Sequence, residues 1–212
     1  MKREKLLHIT TKHNGKMEGM QSLSTSCKQN PYCESRSKVP GSICEKCYAQ
    51  LMMKTYKQLD PCMQKNGEVL SGRVLEENEL PNLNVAYFRF EAFGDLINEN
   101  HVINYFNICK KNPDTHFALW TKNPFLISKT IKDYGYEKPD NLKIVLSSER
   151  INEKADISPY PFVDKVFTVY DKEFISENRV DINCGGRKCV ECKACYTGDV
   201  VEIREQLKKG GA

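Results

Sequence analysis

Apolar and polar positions repeat with two periods along this chain, and each switch of period marks an element. Gly19 to Ser26 reads as a short strand leading into a polar loop from Cys27 to Cys47, irregular because it carries Pro31, Pro40 and Gly41. From Tyr48 to about Met63 the pattern is helical, with Leu51, Met52, Thr55, Tyr56 and Leu59 on one face and a break near Pro61. Asn84 to Phe90 reads as a buried strand that runs out into Glu91-Ala-Phe-Gly-Asp95. Asn100 to Lys111 follows as a helix with Val102, Ile103, Phe106 and Cys109 inward. Then come a strand at His116 to Thr121, a helix at Pro124 to Tyr134, and strands at Leu142 to Ser148, Val163 to Tyr170 and Val180 to Asn183. The last helix is expected from about Val200 to Lys209.

Apolar strands alternating with helices predict a parallel sheet with helical crossovers. The expected fold is α/β, a partial (β/α)6-type barrel with irregular cysteine-rich loops that bind metal clusters. Ligands of such folds gather at the carboxyl ends of the strands. No internal repeat, low-complexity linker or boundary interrupts the chain, so residues 1–212 read as a single domain.

Hydrophobic residues at 40% and charged residues at 28% exclude wholesale disorder. No apolar run approaches the roughly 20 residues that span a bilayer. The start, MKREKLLHIT, lacks the apolar stretch and cleavage site of a signal peptide. The expectation is a cytoplasmic protein with no membrane partner.

In a reducing compartment ten cysteines point to metal or redox chemistry rather than disulfides. Eight fall into two groups of four: Cys27, Cys33, Cys44 and Cys47, then Cys184, Cys189, Cys192 and Cys195. Structural zinc usually takes its ligands as two separated pairs. The second group instead places three cysteines at Cys-x2-Cys-x2-Cys spacing, as in loops that wrap a four-iron, four-sulfur core. In the first group Cys44-x2-Cys47 would also serve a zinc knuckle. Cys109 reads as a buried small hydrophobe, and Cys62 as a spare ligand at most.

These groups change the charge argument. The formal charge is +4, from 32 basic and 28 acidic residues with cysteine counted neutral. A four-thiolate cluster carries about −2, so two would bring the sum near zero. A nucleic-acid partner is therefore weakly supported, and Lys208-Lys209 reads as a solvated helix end.

Cys44-Glu-Lys-Cys47-Tyr48-Ala49, Phe93-Gly94-Asp95, Leu119 to Pro124, Leu146-Ser147-Ser148 and Cys189 to Tyr196 occur in an order that resembles the phage and prophage family called gene product eighty-eight. That resemblance implies a phage or prophage gene expressed in a bacterial host, and no settled activity. More distantly, the chain resembles radical S-adenosylmethionine enzymes, which carry a three-cysteine loop after the first strand of a partial barrel. The resemblance implies that Asp95 takes the carboxylate role toward the methionyl amine and that Ser147 or Ser148 touches the ribose. It also implies an iron left open for S-adenosylmethionine, and an auxiliary C-terminal cluster. The spacing differs, since ten residues separate Cys33 from Cys44, and Lys46 stands where that family has an aromatic or apolar residue. If all four N-terminal cysteines bind, no iron is open.

Glu91 and Asp95 stand where catalytic groups collect in α/β folds, though Asp95 would equally cap the following helix. Arg89 would bind an anion or pair with Glu91, two residues on along the strand. Trp120 would cover a cofactor or fill the core. His8, His13, His101 and His116 have no metal spacing. Three functions are consistent with this reading: an enzyme of the radical S-adenosylmethionine type with an auxiliary cluster, an electron carrier or redox sensor with two fully ligated clusters, or a nucleic-acid-binding module with structural metal. Substrate and redox partner are not legible.

Overall fold

The computed structural model describes residues 6–208. Six strands form one all-parallel sheet in the order β1 (Gln21–Leu23), β2 (Tyr87–Phe90), β3 (His116–Thr121), β4 (Leu142–Ser147), β5 (Lys165–Tyr170) and β6 (Glu202–Gln206). The helices are α1 (Pro31–Ser37), α2 (Tyr48–Thr55), α3 (Leu59–Gly72), α4 (Glu99–Lys111), α5 (Pro124–Tyr134), α6 (Lys172–Asn178) and the single turn α7 (Cys189–Cys192). Spatial order follows chain order, so the sheet never reverses direction. It is an open sheet whose edge strands are β1 and β6.

Side chains alternate between two unlike faces. On one, Leu23, Phe88, Phe90, Phe117, Leu119, Ile144 and Leu146 pack against Leu70 of α3, Tyr105, Phe106 and Ile108 of α4, and Ile127 of α5. This is the main core, and Phe90 stacks between Phe117 and Tyr105 within it. Cys109 is fully buried there, as its helical position predicts. The opposite face carries Tyr87, Ala118, Trp120, Val145 and Phe167, and the segment holding Cys189, Val190, Cys195 and Tyr196 lies against it.

Five strands fall where the pattern places them, and the sixth does not. The region expected as a final helix contains β6, whose Ile203 is buried between charged neighbours. Glu, Arg and Gln are good helix formers, but pairing with all of Val166 to Tyr170 overrides that preference. Lys209 lies outside the described residues. The strand expected at Val180 to Asn183 does not form; one parallel bridge, Cys184 to Glu205, lies just beyond it. Within the supposedly irregular first cysteine loop, α1 forms because Asn30 accepts from Tyr32 N at 3.0 Å and Pro31 fills the first helical position. The helix from Tyr48 breaks at Tyr56 to Gln58, and Pro61 lies in the first turn of α3, where its missing N–H is tolerated. The apolar stripe assigned to α2 faces outward: Leu51, Met52 and Tyr56 are exposed, while Ala49 and Met53 point in.

Candidate functional site

The chain beyond β1 turns across the end of β2, and the two loops are fastened together. Thr25 Oγ1 donates to the Glu91 carboxylate at 3.1 Å, and Asn30 Nδ2 to the carbonyl oxygen of Asp95 at 2.7 Å. Gly94 sits between them with φ +78°, and a Cβ there would overlap the carbonyl oxygen of Thr25. Only glycine permits both that backbone and that approach. Cys27 is pinned between Ser26 and Lys28, which both bond Asp60 of α3 at 2.7 Å.

The first cysteine group gathers at these carboxyl ends. Cys33 occupies the first turn of α1, and Cys47 is the residue at which α2 starts. Cys27, Cys33 and Cys47 pack with Met53, Met63, Leu59 and Phe93. Cys27 hydrogen-bonds Cys47, which keeps the proton on Cys27 and lowers Cys47, and the amides of Gln50 and Ala49 lower Cys47 further. Burial raises the Cys33 thiol, and the charges of Asp95, Glu91, Cys47 and Cys44 add to that. Cys44 is thus near enough for its charge to act on Cys33, and the four sulfurs share one neighbourhood.

The two carboxylates beside this group are occupied. Glu91 has a left-handed backbone, φ 52°, which swings its side chain toward α4. There it accepts from Tyr105 OH at 2.6 Å and lies 3.3 Å from His101 Nε2, all three side chains buried. The expected ion pair with Arg89 therefore does not form; the alternation behind it assumed extended backbone through Glu91. Asp95 accepts from Thr121 Oγ1 at 2.5 Å, Lys122 N at 2.8 Å and Leu96 N at 2.8 Å. Burial pushes its carboxyl up to about 6 against those bonds. It does not cap the next helix: Asn98 does, accepting from His101 N at 3.1 Å. Ser147 shares its strand face with Val145, whereas the Ser148 hydroxyl is held by Thr168 at 2.9 Å and accepts from Ala155 N at 2.9 Å.

The second cysteine group lies on the open face of the sheet. Cys184 N donates to the carbonyl oxygen of Arg204 at 2.9 Å, which sets the segment beside β6. Gly186 (φ 74°) turns it toward α7, and Lys193 (φ 56°) ends that turn. Cys184, Cys189, Cys192 and Cys195 line one cavity together with Lys16, Arg187, Lys193, Tyr196 and Ile203. Among the described residues no three His, Cys, Asp or Glu side chains converge to hold a single metal ion.

Cations surround that cavity. Lys16 Nζ is 3.8 Å from Cys184 Sγ and 2.7 Å from Glu205. Burial pulls the Lys16 ammonium down, but Glu205 and Cys184 outweigh it and the net shift is upward. The buried Lys165 donates to the carbonyl oxygen of Val200 and feels Cys195. Burial pushes Cys195 up to about 12, and Arg89 opposes it. Arg89 itself lies 4.3 Å over the Trp120 ring.

Spacing in the sequence marks both thiol groups. It gives no sign of Lys16, Met53, Met63, or the stacking of Arg89 on Trp120, because each is brought in from a distant part of the chain. Cys62 is partly exposed and lies outside the packed first group. No helix among the described residues is long and apolar enough to cross a membrane.

An open, all-parallel α/β sheet with one thiol group at its strand ends and another on its open face defines this class of protein. A family model for gene product 88 matches residues 2–211, and the chain belongs to that family. No curated protein and no solved structure matches it.

Proposed function

We propose that the protein binds two iron–sulfur clusters of the four-iron, four-sulfur type and works in a redox role. The observation that carries this reading is the C-terminal cavity, where four thiols share a lining with Lys16, Arg187 and Lys193. Four soft donors within twelve residues, three of them at Cys-x2-Cys-x2-Cys spacing, suit a core larger than one ion. Thiolates and a metal core sum to negative charge, and the surrounding cations offset it. Cys184, Cys189, Cys192 and Cys195 would hold this cluster, and Cys27, Cys33, Cys44 and Cys47 supply the ligands of the other.

The N-terminal group stands beyond the carboxyl ends of parallel strands, where ligands of α/β folds gather. We therefore extend the reading to radical S-adenosylmethionine-like chemistry at the N-terminal group, with an auxiliary C-terminal cluster. Cys27, Cys33 and Cys47 would hold a cluster there, which would supply the electron for cleaving a sulfonium's carbon–sulfur bond. Phe93 packs on the three thiols, and Gly94 holds its loop against theirs. Asp95, with its carboxylate oxygens already engaged, would keep the two mouth loops in register; toward the methionyl amine it would act by its charge. Ser147 is the better placed of the two serines to meet a ribose, since the Ser148 hydroxyl is bonded inward.

A second reading has its own support: Cys44 and Cys27 both act on the Cys33 and Cys47 pair, so all four would close the cluster in an electron carrier. Electron paramagnetic resonance on anaerobic, dithionite-reduced protein separates the two. A signal altered by S-adenosylmethionine is expected for an open iron; one that ignores it supports the carrier. Cys189→Ser and Cys192→Ser should each lose one cluster's worth of iron, and unchanged iron in both would sink the C-terminal assignment.

A further inference from the structure

Between the two thiol groups the open face of the sheet has more hydrogen-bond donors than acceptors. Arg89 projects there from β2, its Cζ 4.3 Å from the centre of the Trp120 ring of β3. The Arg89 Nε and the Trp120 Nε1 are both buried and both lack a partner. The contact recorded for the guanidinium's other nitrogens is the Met17 thioether, at 3.7 Å from its Nη1. The buried Nε and Nε1 donors need an acceptor that neither a thioether nor an aromatic ring supplies, and beside a guanidinium an anion suits best.

The nearby carboxylates do not supply it. Glu91 is turned to Tyr105 and His101, Asp95 is held by Thr121 and the Lys122 amide, and Glu205 is paired with Lys16. A second cation stands on the first group's side: Lys122, whose charge acts on Cys44 and Cys47. Lys122 directly follows β3, two residues beyond Trp120. Lys122 has no ion pair through its ammonium among the described residues.

We infer that this region is a binding site for the oxyanion of a small molecule, a carboxylate or a phosphate, held by Arg89 and Trp120 Nε1 and attracted by Lys122. Its place between the thiol groups makes this anion part of the substrate of the proposed redox centre. The site needs no metal to bind, so its failure and the failure of the iron–sulfur reading are read separately. Planar guanidinium donors match both oxyanions in geometry, and an indole N–H adds one fixed donor.

Trp120 is the only tryptophan in the chain, which makes its emission a reporter of the site. The test titrates the full chain with inorganic phosphate and, separately, with succinate, in cluster-loaded and metal-free forms. A saturable change in emission is expected in both forms, and the tighter of the two probes identifies the oxyanion. Arg89→Gln should weaken that binding about tenfold or more, and Lys122→Gln by about threefold. Arg89→Lys keeps the charge and loses the planar fork, so it should fall between wild type and Arg89→Gln; it carries the test if the glutamine variant does not fold. Absence of a saturable change with either probe overturns the proposal, as does equal binding by wild type and the Arg89 variants. Binding confined to the metal-free form also overturns it, because the C-terminal thiolates would then be the partner of Arg89.

Discussion

The first cysteine group is assembled from a loop and the starts of two helices, whereas the second forms around one short turn. Their surroundings differ more than their spacing does. Cys27, Cys33 and Cys47 lie among Met53, Met63 and Phe93, with buried carboxylates close by. Cys184, Cys189, Cys192 and Cys195 lie among Lys16, Lys193 and Arg187, with Arg89 acting on two of them. Fixed cations favour a centre that stays negative and keeps its ligands. A sulfur-rich neighbourhood with buried carboxylates beside it disfavours added negative charge. The difference teaches that two sites built from the same four donors are suited to different duties by their neighbours.

The most damaging change should fall on the first site alone. Gly94→Ala forces an unfavourable φ and a clash with Thr25, a loss of about 4 kcal/mol. Thermal denaturation should show it, and iron analysis should show the N-terminal share missing with the C-terminal share retained. Equal loss from both sites would mean that they do not assemble independently.

The carboxylate beside the first site gives a smaller, pH-dependent effect. Asp95 keeps its proton up to about 6 in the fold, against 3.8 when free. The folded state thus binds more protons in that window, and this stabilisation is complete below 3.8 and gone above about 6. The difference is about 3 kcal/mol. Urea midpoints of metal-free protein across that range should fall with rising pH relative to Asp95→Asn. Parallel profiles would show that Asp95 does not titrate there.

Lys16→Gln probes the second site with the smallest effect, about 1 kcal/mol of stability from a partly screened pair. Its main readout is spectroscopic. The resonance of the C-terminal centre should shift while that of the N-terminal centre stays as it was. A shift confined to the N-terminal signal would reverse the assignment of cations to sites.

Much of this was legible before any coordinates. The strands at β2 to β5 announce themselves because both sheet faces are covered, so Phe88, Leu119, Val145 and Phe167 all read as apolar. β6 does not, since an edge strand of Glu202, Arg204, Glu205 and Gln206 carries the composition of a helix. The exposure of Leu51 and Met52 was hidden too, because helical periodicity finds a stripe and not the side it faces. The cysteines were visible by spacing. Of the two readings of Arg89, the pairing with Glu91 fails through a single residue: Glu91 leaves the extended region, and parity along the strand ends there. Lys16 was out of reach, and so was the stacking of Arg89 on Trp120, since each meets its partners only through tertiary contact.

The C-terminal cysteine turn rests on residues near the other end of the chain. Lys16 pairs with Glu205, Glu18 with Lys188, and Val190 packs beside Met17 and Met20. On the ribosome, then, the segment around residues 15–20 emerges early and waits for almost the whole sequence before its partners exist. Native stability of this face arrives as one late event, after the helix-side core has had time to form. A chain stalled before β6 forms would leave the C-terminal thiols without that support, a natural target for oxidation and proteolysis.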